Sequence, residues 1–442
     1  MEENKLSGGR VAILGLQHLF AMFGATILVP LLTGLSVQVT MIGVGVGTLL
    51  FHIIQKKKGN TWARGVPIFL GSSFAFMWGI RAVAGGGGLD PIWDYPRVVM
   101  LAYATGGIFV AGLFYMVVAL LVKVLSPERV MKFMPTVVTA PTVIMIGVML
   151  APFAIDMSRH NLFIATVTLV TIIMVANYMK GFAKIIPILI GIAVGTLLSL
   201  IMHFIFGVEV HGAGQAGRIA AASTSVVGLP PFMAPRFHWL PIIIMFPFVF
   251  ATIAEHVADM VILSRVSGND YIKNPGMHRT LAGDGAATIF QGLIGSPAAT
   301  TYSENVGLVT LTKVFDARVL IAAGAYATVL GFSPLVASLI YWIPEAVIGG
   351  ASFMLYGMIA AVGVRNLVDD RVHLADMKNC TIVAVMLVVG LGLRFLSPPI
   401  FVNIGGTNVP IDRLSVAIAV VVGIVLNLVL KSGAEAQPEE KA

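Results

Sequence analysis

Residues 296–313 read SPAATTYSENVGLVTLTK and carry the main signal for the architecture. Pro297 and a run of small or hydroxylated residues precede a carboxylate, Glu304, although the surrounding chain is strongly apolar. Proline interrupts helices, and irregular backbone at membrane depth persists only where protein or a cavity satisfies its polar groups. The stretch therefore predicts an interrupted membrane span that borders a cavity or a binding site.

The composition predicts a polytopic membrane protein. Hydrophobic residues make up 57% of the 442 residues and charged residues only 11%, and the mean hydropathy is +0.93. Such a chain cannot present an ordinary water-facing surface. The single cysteine, Cys380, excludes an intramolecular disulfide, and no cysteine and histidine cluster has the spacing of zinc ligands. Neither a metal site nor a cofactor is expected.

Uncharged runs divide the chain into about fourteen spans, judged against the roughly 20 apolar residues that cross a bilayer. The first span follows a short polar start and is interpreted as a retained helix rather than a signal peptide. With the N-terminus inside, every lysine falls on the cytoplasmic side, and the basic residues outside are all arginines. This bias places both termini in the cytoplasm. It also explains the formal net charge of +7 without nucleic acid as a partner.

The spans fall into two sets, and the second set begins after a Gly-, Ala- and Ser-rich outer loop at residues 207–237. Each set holds an odd number of spans, about seven, so the two halves enter the membrane from opposite faces as an inverted repeat. The third span of each set opens with proline and small residues, PIFLGSSFAF from Pro67 and SPAATTYSEN from Ser296. A matched pair of interrupted spans indicates the substrate site of a transporter.

Glu304 is the first candidate for that site. If a half-helix starts near Ser303, its first N–H groups are unpaired and carry the positive end of the helix dipole. The carboxylate beside them completes a donor and acceptor edge that matches an imide or lactam, O=C–N–H. The alternative is that Glu304 only caps its own helix. Because a carboxylate inside a membrane is costly, we favour the binding role.

A second acid pair lies in the first span of the second half. Glu255 and Asp259 are one turn apart on one helix face, and Glu255 is expected near the membrane centre. Like charges at that spacing disfavour double ionisation, so the pair can hold one proton, although a structural role for Asp259 is an equal alternative. His256 is interpreted as a packed polar residue, Asp284 as a structural hydrogen-bonding acid, and His18 as a structural group or a neighbour of the substrate.

Several motifs together resemble the nucleobase/ascorbate transporter family, most of all its bacterial uracil permease branch: QHLFAMFGATILVP, GSSFAF, IAEHV, GMHR and TTYSENVG. The resemblance covers nearly the whole chain. It implies an all-α membrane protein of two inverted repeats, in which short antiparallel strands interrupt spans 3 and 10. It further implies a core domain at residues 1–125 and 238–342, a gate domain at residues 126–237 and 343–432, and a cytoplasmic tail at residues 433–442. The expected location is the bacterial inner membrane, as a homodimer joined through the gate domain.

The resemblance also implies a function, proton-coupled import of a nucleobase by elevator-type alternating access. It suggests that Glu255 and Glu304 bind the base and that the backbone N–H groups of Phe74 and Ser303 meet its carbonyls. It further suggests that Tyr302 lies beside the base and that Tyr356 faces the base from the gate domain. The candidates for proton coupling are Glu255, Asp259 and Glu304. The candidates for a second layer around the substrate are His18, Asn305 and Ser73.

Two positions depart from the uracil pattern. Asp259 stands where similar uracil permeases have histidine and is typical of the purine branch, and Ser303 replaces a glycine. Glu304 within YSEN favours a pyrimidine, so uracil is preferred and a xanthine-type purine is the alternative. A channel or facilitator without proton coupling is the alternative from another class. An enzyme is not expected, since the chain contains no HExxH, GxSxG or Gly-rich phosphate loop.

Overall fold

The structure is a computed structural model, and it describes residues 6–56, 62, 65–85, 91–125, 135–208, 224–404 and 407–430. The described residues are mostly helical. In the first half the elements are α1 (Gly8–Thr33), α2 (Val37–Gln55), β1 (Leu70–Ser72), α3 (Ala75–Ala84), α4 (Arg97–Leu125), α5 (Thr136–Ser158), α6 (Leu162–Tyr178) and α7 (Pro187–Phe206).

The second half begins with the same order of elements as the first, which is two long helices, a short strand and a short helix. Its elements are α8 (Trp239–Ser267), α9 (Met277–Ile294), β2 (Ala299–Thr301), α10 (Ser303–Thr312), α11 (Ala317–Gly331), α12 (Pro334–Tyr341), α13 (Glu345–Asp369), α14 (Met377–Arg394), β3 (Phe401–Ile404), β4 (Thr407–Pro410) and α15 (Ser415–Val429).

The helix ends follow ordinary capping chemistry. Ser7 caps α1 by accepting a hydrogen bond from the backbone N–H of Arg10. The same helix ends at Gly34, whose left-handed φ of 86° allows its N–H to reach the Pro30 carbonyl oxygen at 2.8 Å. Gly295, with φ 85°, ends α9 in the same way and turns the chain into the segment that leads to β2.

Among the described residues, nine helices are long and apolar enough to cross a membrane, or ten if the bent pair α11 and α12 forms one span. The helices α3 and α6 are apolar but shorter. The chain is therefore a helical protein with many membrane spans, as predicted. The inverted repeat of about fourteen spans and the division into core and gate domains stay predictions.

Two features were not predicted from the sequence. The span predicted to start at Val319 is broken: α11 and α12 meet at an angle of 85°, where Ser333 caps α12 and Pro334 begins it. Proline fits the first turn of a helix but ends the one before it. The strands β3 and β4 form an antiparallel hairpin between α14 and α15.

The described residues divide into two compact units. The first comprises Met1–Val130 and Ala151–Leu355, and the second comprises Met131–Leu150 and Tyr356–Ala442. Both interrupted segments belong to the first unit, together with α1, α2, α8 and α9, which surround them. All the contacts described below lie within that unit.

Candidate substrate site

The centre of the candidate site is a short antiparallel ladder between β1 and β2. Leu70 pairs with Thr301, Gly71 with Thr300, and Ser72 with Ala299. Two more backbone bonds extend it, from the Tyr302 N–H to the Phe69 carbonyl oxygen at 3.1 Å and from the Ser73 N–H to the Ala298 carbonyl oxygen at 2.8 Å. The two interrupted segments therefore satisfy most of each other's backbone groups, which explains how extended chain is tolerated inside an apolar protein.

The helices α1 and α2 hold the ladder in place. The hydroxyl of Thr48 donates to the Leu70 carbonyl oxygen at 3.2 Å and accepts from the Leu70 N–H at 3.0 Å. On the other side, the hydroxyl of Ser72 donates to the Thr26 carbonyl oxygen at 3.1 Å. Tyr302 donates its phenol to the Ser72 carbonyl oxygen at 3.0 Å. Buried hydroxyls thus pair with the remaining backbone groups and fix the register.

Each strand runs directly into the N-terminus of a short helix. β1 leads through Phe74 into α3, and β2 leads through Tyr302 into α10. Among the described residues, neither the Phe74 nor the Ser303 backbone N–H has a hydrogen-bond partner. First-turn N–H groups are free in any helix without a cap, and they carry partial positive charge. Both amides can therefore donate to a ligand carbonyl, and their contact with the substrate stays a prediction.

The helix α8 presents two carboxylates to the β2–α10 segment. Thr300 donates its hydroxyl to Glu255 Oε2 at 2.9 Å, and Ser303 donates to both oxygens of Asp259, at 3.0 and 3.1 Å. Glu255 is half-buried, whereas Asp259 is only 2% exposed. Sequence reasoning missed these hydroxyl partners. Ser303 and Asp259 are the two positions that depart from the uracil pattern. The structure shows that their side chains form a hydrogen bond with each other.

Glu304 lies in the first turn of α10 and is half-buried. An acid in a first turn is favoured by the helix dipole, so a role in stabilising the helix stays open beside the binding role. The same helix has an open face: Ser303 and Gly307 are exposed, and Leu311 is 56% exposed. Glu304 therefore lies beside free donors at an accessible edge, where it can accept a hydrogen bond from a ligand N–H.

The other predicted residues occupy different places. Asn305 donates to the His18 carbonyl oxygen at 3.1 Å and lies 3.1 Å from its Nδ1, so His18 is a neighbour of the Glu304 turn. Ser73 is buried at the end of the ladder. Tyr302 is buried, with its hydroxyl turned to the strand crossing, and its place beside the base stays a prediction. Tyr356 is buried in the second unit, and its predicted position facing the site stays a prediction.

One buried pair was not recognised in the sequence. His256 lies with its Nδ1 2.9 Å from Asp284 Oδ2, and both side chains are fully buried, at 0% and 1% exposed. His256 is indeed a packed polar residue and Asp284 does form hydrogen bonds, as predicted, but the sequence did not indicate that they pair. A usable signal was the spacing of Thr280 and Asp284, which places both on the face of α9 that meets His256.

We expect Gly71→Ala to destabilise the protein, because a Cβ at this position would overlap the ring of Tyr302. The ring is held by its hydroxyl bond to the Ser72 carbonyl oxygen, so it cannot move away from the added carbon without breaking that bond. Overpacking of this kind costs about 1–3 kcal/mol. Gly307→Ala is the matched control, since no atom lies within 4 Å of the added carbon. The thermal unfolding temperature of the purified variants measures the effect, and equal temperatures for both would contradict the described crossing.

The comparison with family models decides the family. A permease family model, Xan_ur_permease, matches residues 9–398 of the chain. The chain belongs to this family of nucleobase/ascorbate transporters. The protein is therefore a permease, a transporter rather than an enzyme, and a multi-pass membrane protein of a bacterial permease family.

Curated relatives match the permease along nearly its whole length. The uracil permease of Bacillus subtilis (strain 168) is 37% identical over 443 residues, which cover 96% of the permease and 93% of the relative. The probable uracil permease of Haemophilus influenzae is 36% identical, with 95% and 94% covered. The putative pyrimidine permease RutG of Escherichia coli (strain K12) is 37% identical, with 88% and 85% covered.

Solved structures show the fold. The transmembrane domain of the cyanobacterial bicarbonate transporter BicA matches the permease with a TM-score of 0.59 at 14% identity, and 95% of the permease and 97% of that chain are covered. The murine anion transporter Slc26a9 in an inward-facing state matches with a TM-score of 0.64 at 13% identity, with 96% and 69% covered. The permease therefore has the fold of these membrane transporters.

Proposed function

We propose that the permease imports a nucleobase, with uracil as the preferred substrate, by proton symport. The observation that carries the proposal is the placement of two half-buried carboxylates beside two free backbone N–H groups at the ends of one strand ladder. Uracil offers the complementary edge, because its ring carries N–H donors next to carbonyl acceptors. The names of the curated relatives support the same substrate.

In this proposal Glu255 and Glu304 accept hydrogen bonds from the ring N–H groups of the base. The free amides of Phe74 and Ser303 donate to its carbonyls. Oε2 of Glu255 accepts a hydrogen bond from Thr300, so Oε1 is the oxygen that remains for the substrate. Charge-assisted hydrogen bonds of this kind are about twice as strong as neutral ones in a site from which water is excluded. Tyr302 and Tyr356 complete the surroundings of the base.

We also propose elevator-type alternating access, in which the core domain carries base and proton past the gate domain of a homodimer. Glu255, Asp259 and Glu304 are the coupling candidates that touch the site. In the topology with cytoplasmic termini, α10 leads from the site to the inner face of the bacterial inner membrane, and α3 leads to the outer face. All described residues of α3 from Phe76 onwards are buried, whereas α10 has an exposed face. The α10 side of the site is therefore the more exposed one.

A purine symporter of the same fold is the second candidate, because one observation favours it. Asp259, which is typical of the purine branch, accepts a hydrogen bond from the hydroxyl of Ser303 at the edge of the site. The pair adds acceptor groups at this edge, and xanthine carries more N–H donors than uracil. A channel without proton coupling is the candidate from another class.

Uptake into proteoliposomes tests the proposal. We expect uptake of labelled uracil to saturate with concentration, to be driven by an inward proton gradient, and to be competed better by unlabelled uracil than by xanthine. Better competition by xanthine than by uracil would show that the permease is a purine symporter. Flux that rises linearly with concentration and ignores the proton gradient would contradict a carrier and favour a pore.

A further inference from the structure

An extended segment leads into α8 and joins the two halves of the chain. It comprises residues 224–238, which contain neither helix nor strand and which we call the strap. Arg236 is the only lysine, arginine, aspartate or glutamate in it. Its large apolar side chains are exposed: Leu229 is 85% exposed and Val227 is 75% exposed, and Phe232 is exposed as well. A contiguous apolar surface of this kind indicates contact with an apolar partner.

The backbone of the strap is suited to a place with little water. Three hydrogen bonds join it to the ends of α9, α11 and α12, where helices leave backbone groups unpaired. In addition, Pro230, Pro231 and Pro235 have no N–H that needs a partner. The strap therefore needs fewer hydrogen bonds from water than an ordinary loop of its length. The three bonds run from the Gly228 N–H to the Phe332 carbonyl oxygen at 2.9 Å, from the Met233 N–H to the Ile294 carbonyl oxygen at 3.2 Å, and from the Leu335 N–H to the Ser225 carbonyl oxygen at 3.0 Å.

The lengths of α9 and α11 give the depth of the strap in the membrane. Fifteen residues separate Arg279 from Ile294 on α9, and fourteen separate Arg318 from Phe332 at the end of α11. Helices of these lengths rise about 21–23 Å, whereas the hydrocarbon layer is about 30 Å thick. Because an arginine is costly inside hydrocarbon, both arginines mark the far surface of the membrane. The part of the strap that is bonded to these helices is therefore expected about 7–9 Å below the near surface of the hydrocarbon.

The end of the strap that meets α8 lies at the boundary of the hydrocarbon. The Arg236 N–H donates to the Ala102 carbonyl oxygen on α4 at 2.8 Å. Ala102 is 21 residues from Lys123 near the other end of α4, a rise of about 32 Å, which matches the thickness of the hydrocarbon layer. Trp93 and Tyr103 pack at the same level, with ring centroids 5.1 Å apart. Tryptophan and tyrosine are concentrated at membrane boundaries, so the rings support this placement.

The apolar surface of the strap continues onto the helix ends that it touches. Leu293 on α9, Val329 on α11 and Leu339 on α12 are all exposed. The surfaces of these membrane helices that face away from the protein are covered by lipid. Continuity with that surface favours lipid as the partner of the strap as well.

We propose that the strap lies in the interfacial layer of the bilayer, with Val227, Leu229 and Phe232 in contact with acyl chains and Arg236 at the level of the phosphate groups. Interfacial segments bury their apolar side chains about 5–10 Å into this layer, in agreement with the depth given by α9 and α11. In the topology with cytoplasmic termini, the strap lies in the outer leaflet. The partner is the lipid bilayer itself, and the inference does not depend on the identity of the substrate.

Nitroxide labels on the full-length protein in phosphatidylethanolamine and phosphatidylglycerol liposomes test the proposal. Cys380, which is exposed, is first replaced by serine, and a single label is then attached through Leu229→Cys. Power saturation compares collisions with oxygen, which is concentrated among acyl chains, and with a water-soluble nickel chelate. We expect the ratio of oxygen to nickel accessibility to exceed one at Leu229. Val227→Cys should give the same result and serves if Leu229→Cys does not fold.

Two control labels calibrate the measurement. Val117 is exposed on the lipid-facing surface of α4, so Val117→Cys should give a ratio above one. Arg159, with 72% of its side chain exposed in the turn after α5, should give a ratio below one as Arg159→Cys. Ratios at Leu229 and Val227 as low as at Arg159 would show a loop in water and overturn the inference. Low accessibility to both reagents would show that protein, such as a second copy of the chain, covers the strap, and it would overturn the inference too.

Discussion

Replacement of Glu255 by glutamine is expected to abolish uracil binding and transport. The carboxylate accepts from Thr300 through one oxygen and offers the other to a ring N–H of the base. An amide keeps the size but removes the charge, and it can point a donor at the donor of Thr300 or of the base. Truncating one partner of a buried, charged hydrogen bond costs about 2–5 kcal/mol. Calorimetric titration with uracil should therefore show a loss of at least about thirtyfold in affinity.

Glu345→Gln is the matched control for this change. Glu345 begins α13 and lies 3.0 Å from His160 Nε2, with 23% of its side chain exposed. It makes no contact with the ladder or the α8 carboxylates among the described residues. We expect wild-type uracil affinity in this variant. Equal affinities in Glu255→Gln, Glu345→Gln and the wild type would remove Glu255 from the site.

Glu304→Gln is expected to weaken uracil binding by tenfold or more. The change removes the charge that favours the ligand N–H and introduces a donor beside the free Ser303 amide. An unmatched buried polar contact costs on the order of 1–3 kcal/mol, which corresponds to roughly five- to 150-fold in affinity. Equilibrium binding of uracil to the purified variant measures the effect.

The unfolding temperature separates binding from capping at Glu304. Glu304 lies in the first turn of α10, where a negative charge stabilises the helix through its dipole without contacting a ligand. A role in capping alone predicts a lower unfolding temperature with wild-type affinity. A role in binding predicts weaker affinity, whatever the change in stability. Wild-type affinity in Glu304→Gln would thus show that Glu304 stabilises its helix and does not bind the substrate.

The interruption of both segments was predictable because proline does not continue a helix, and the family resemblance implied that short antiparallel strands replace the helix there. The segments at Pro67 and Ser296 carry this signal, and the structure places a strand in each and pairs them. The position of Glu304 in the first turn of α10 followed from the same argument. The residues that bind the ladder, Thr48 and Thr26, carry no comparable signal, because a threonine in an apolar helix commonly bonds its own backbone.

The contacts around the acids could not be predicted for a different reason. Thr300, Ser303 and Thr301 are adjacent hydroxyls, and their partners on α8 and α9 depend on which side of a three-residue strand each faces. A shift of the register by one residue would exchange the faces. The pairing of His256 with Asp284 similarly requires the packing of two helices that the sequence does not specify. The 85° bend between α11 and α12 was hidden in a continuous apolar run.

Determination of the structure with uracil bound tests the central claim most directly. The account predicts that the base lies beside the β1–β2 ladder, between its two ends, with its ring N–H groups within hydrogen-bond distance of Glu255 and Glu304. Its carbonyls should face the backbone amides of Phe74 and Ser303. Uracil bound away from the ladder, or bound at the ladder without a contact to either glutamate, would contradict the account.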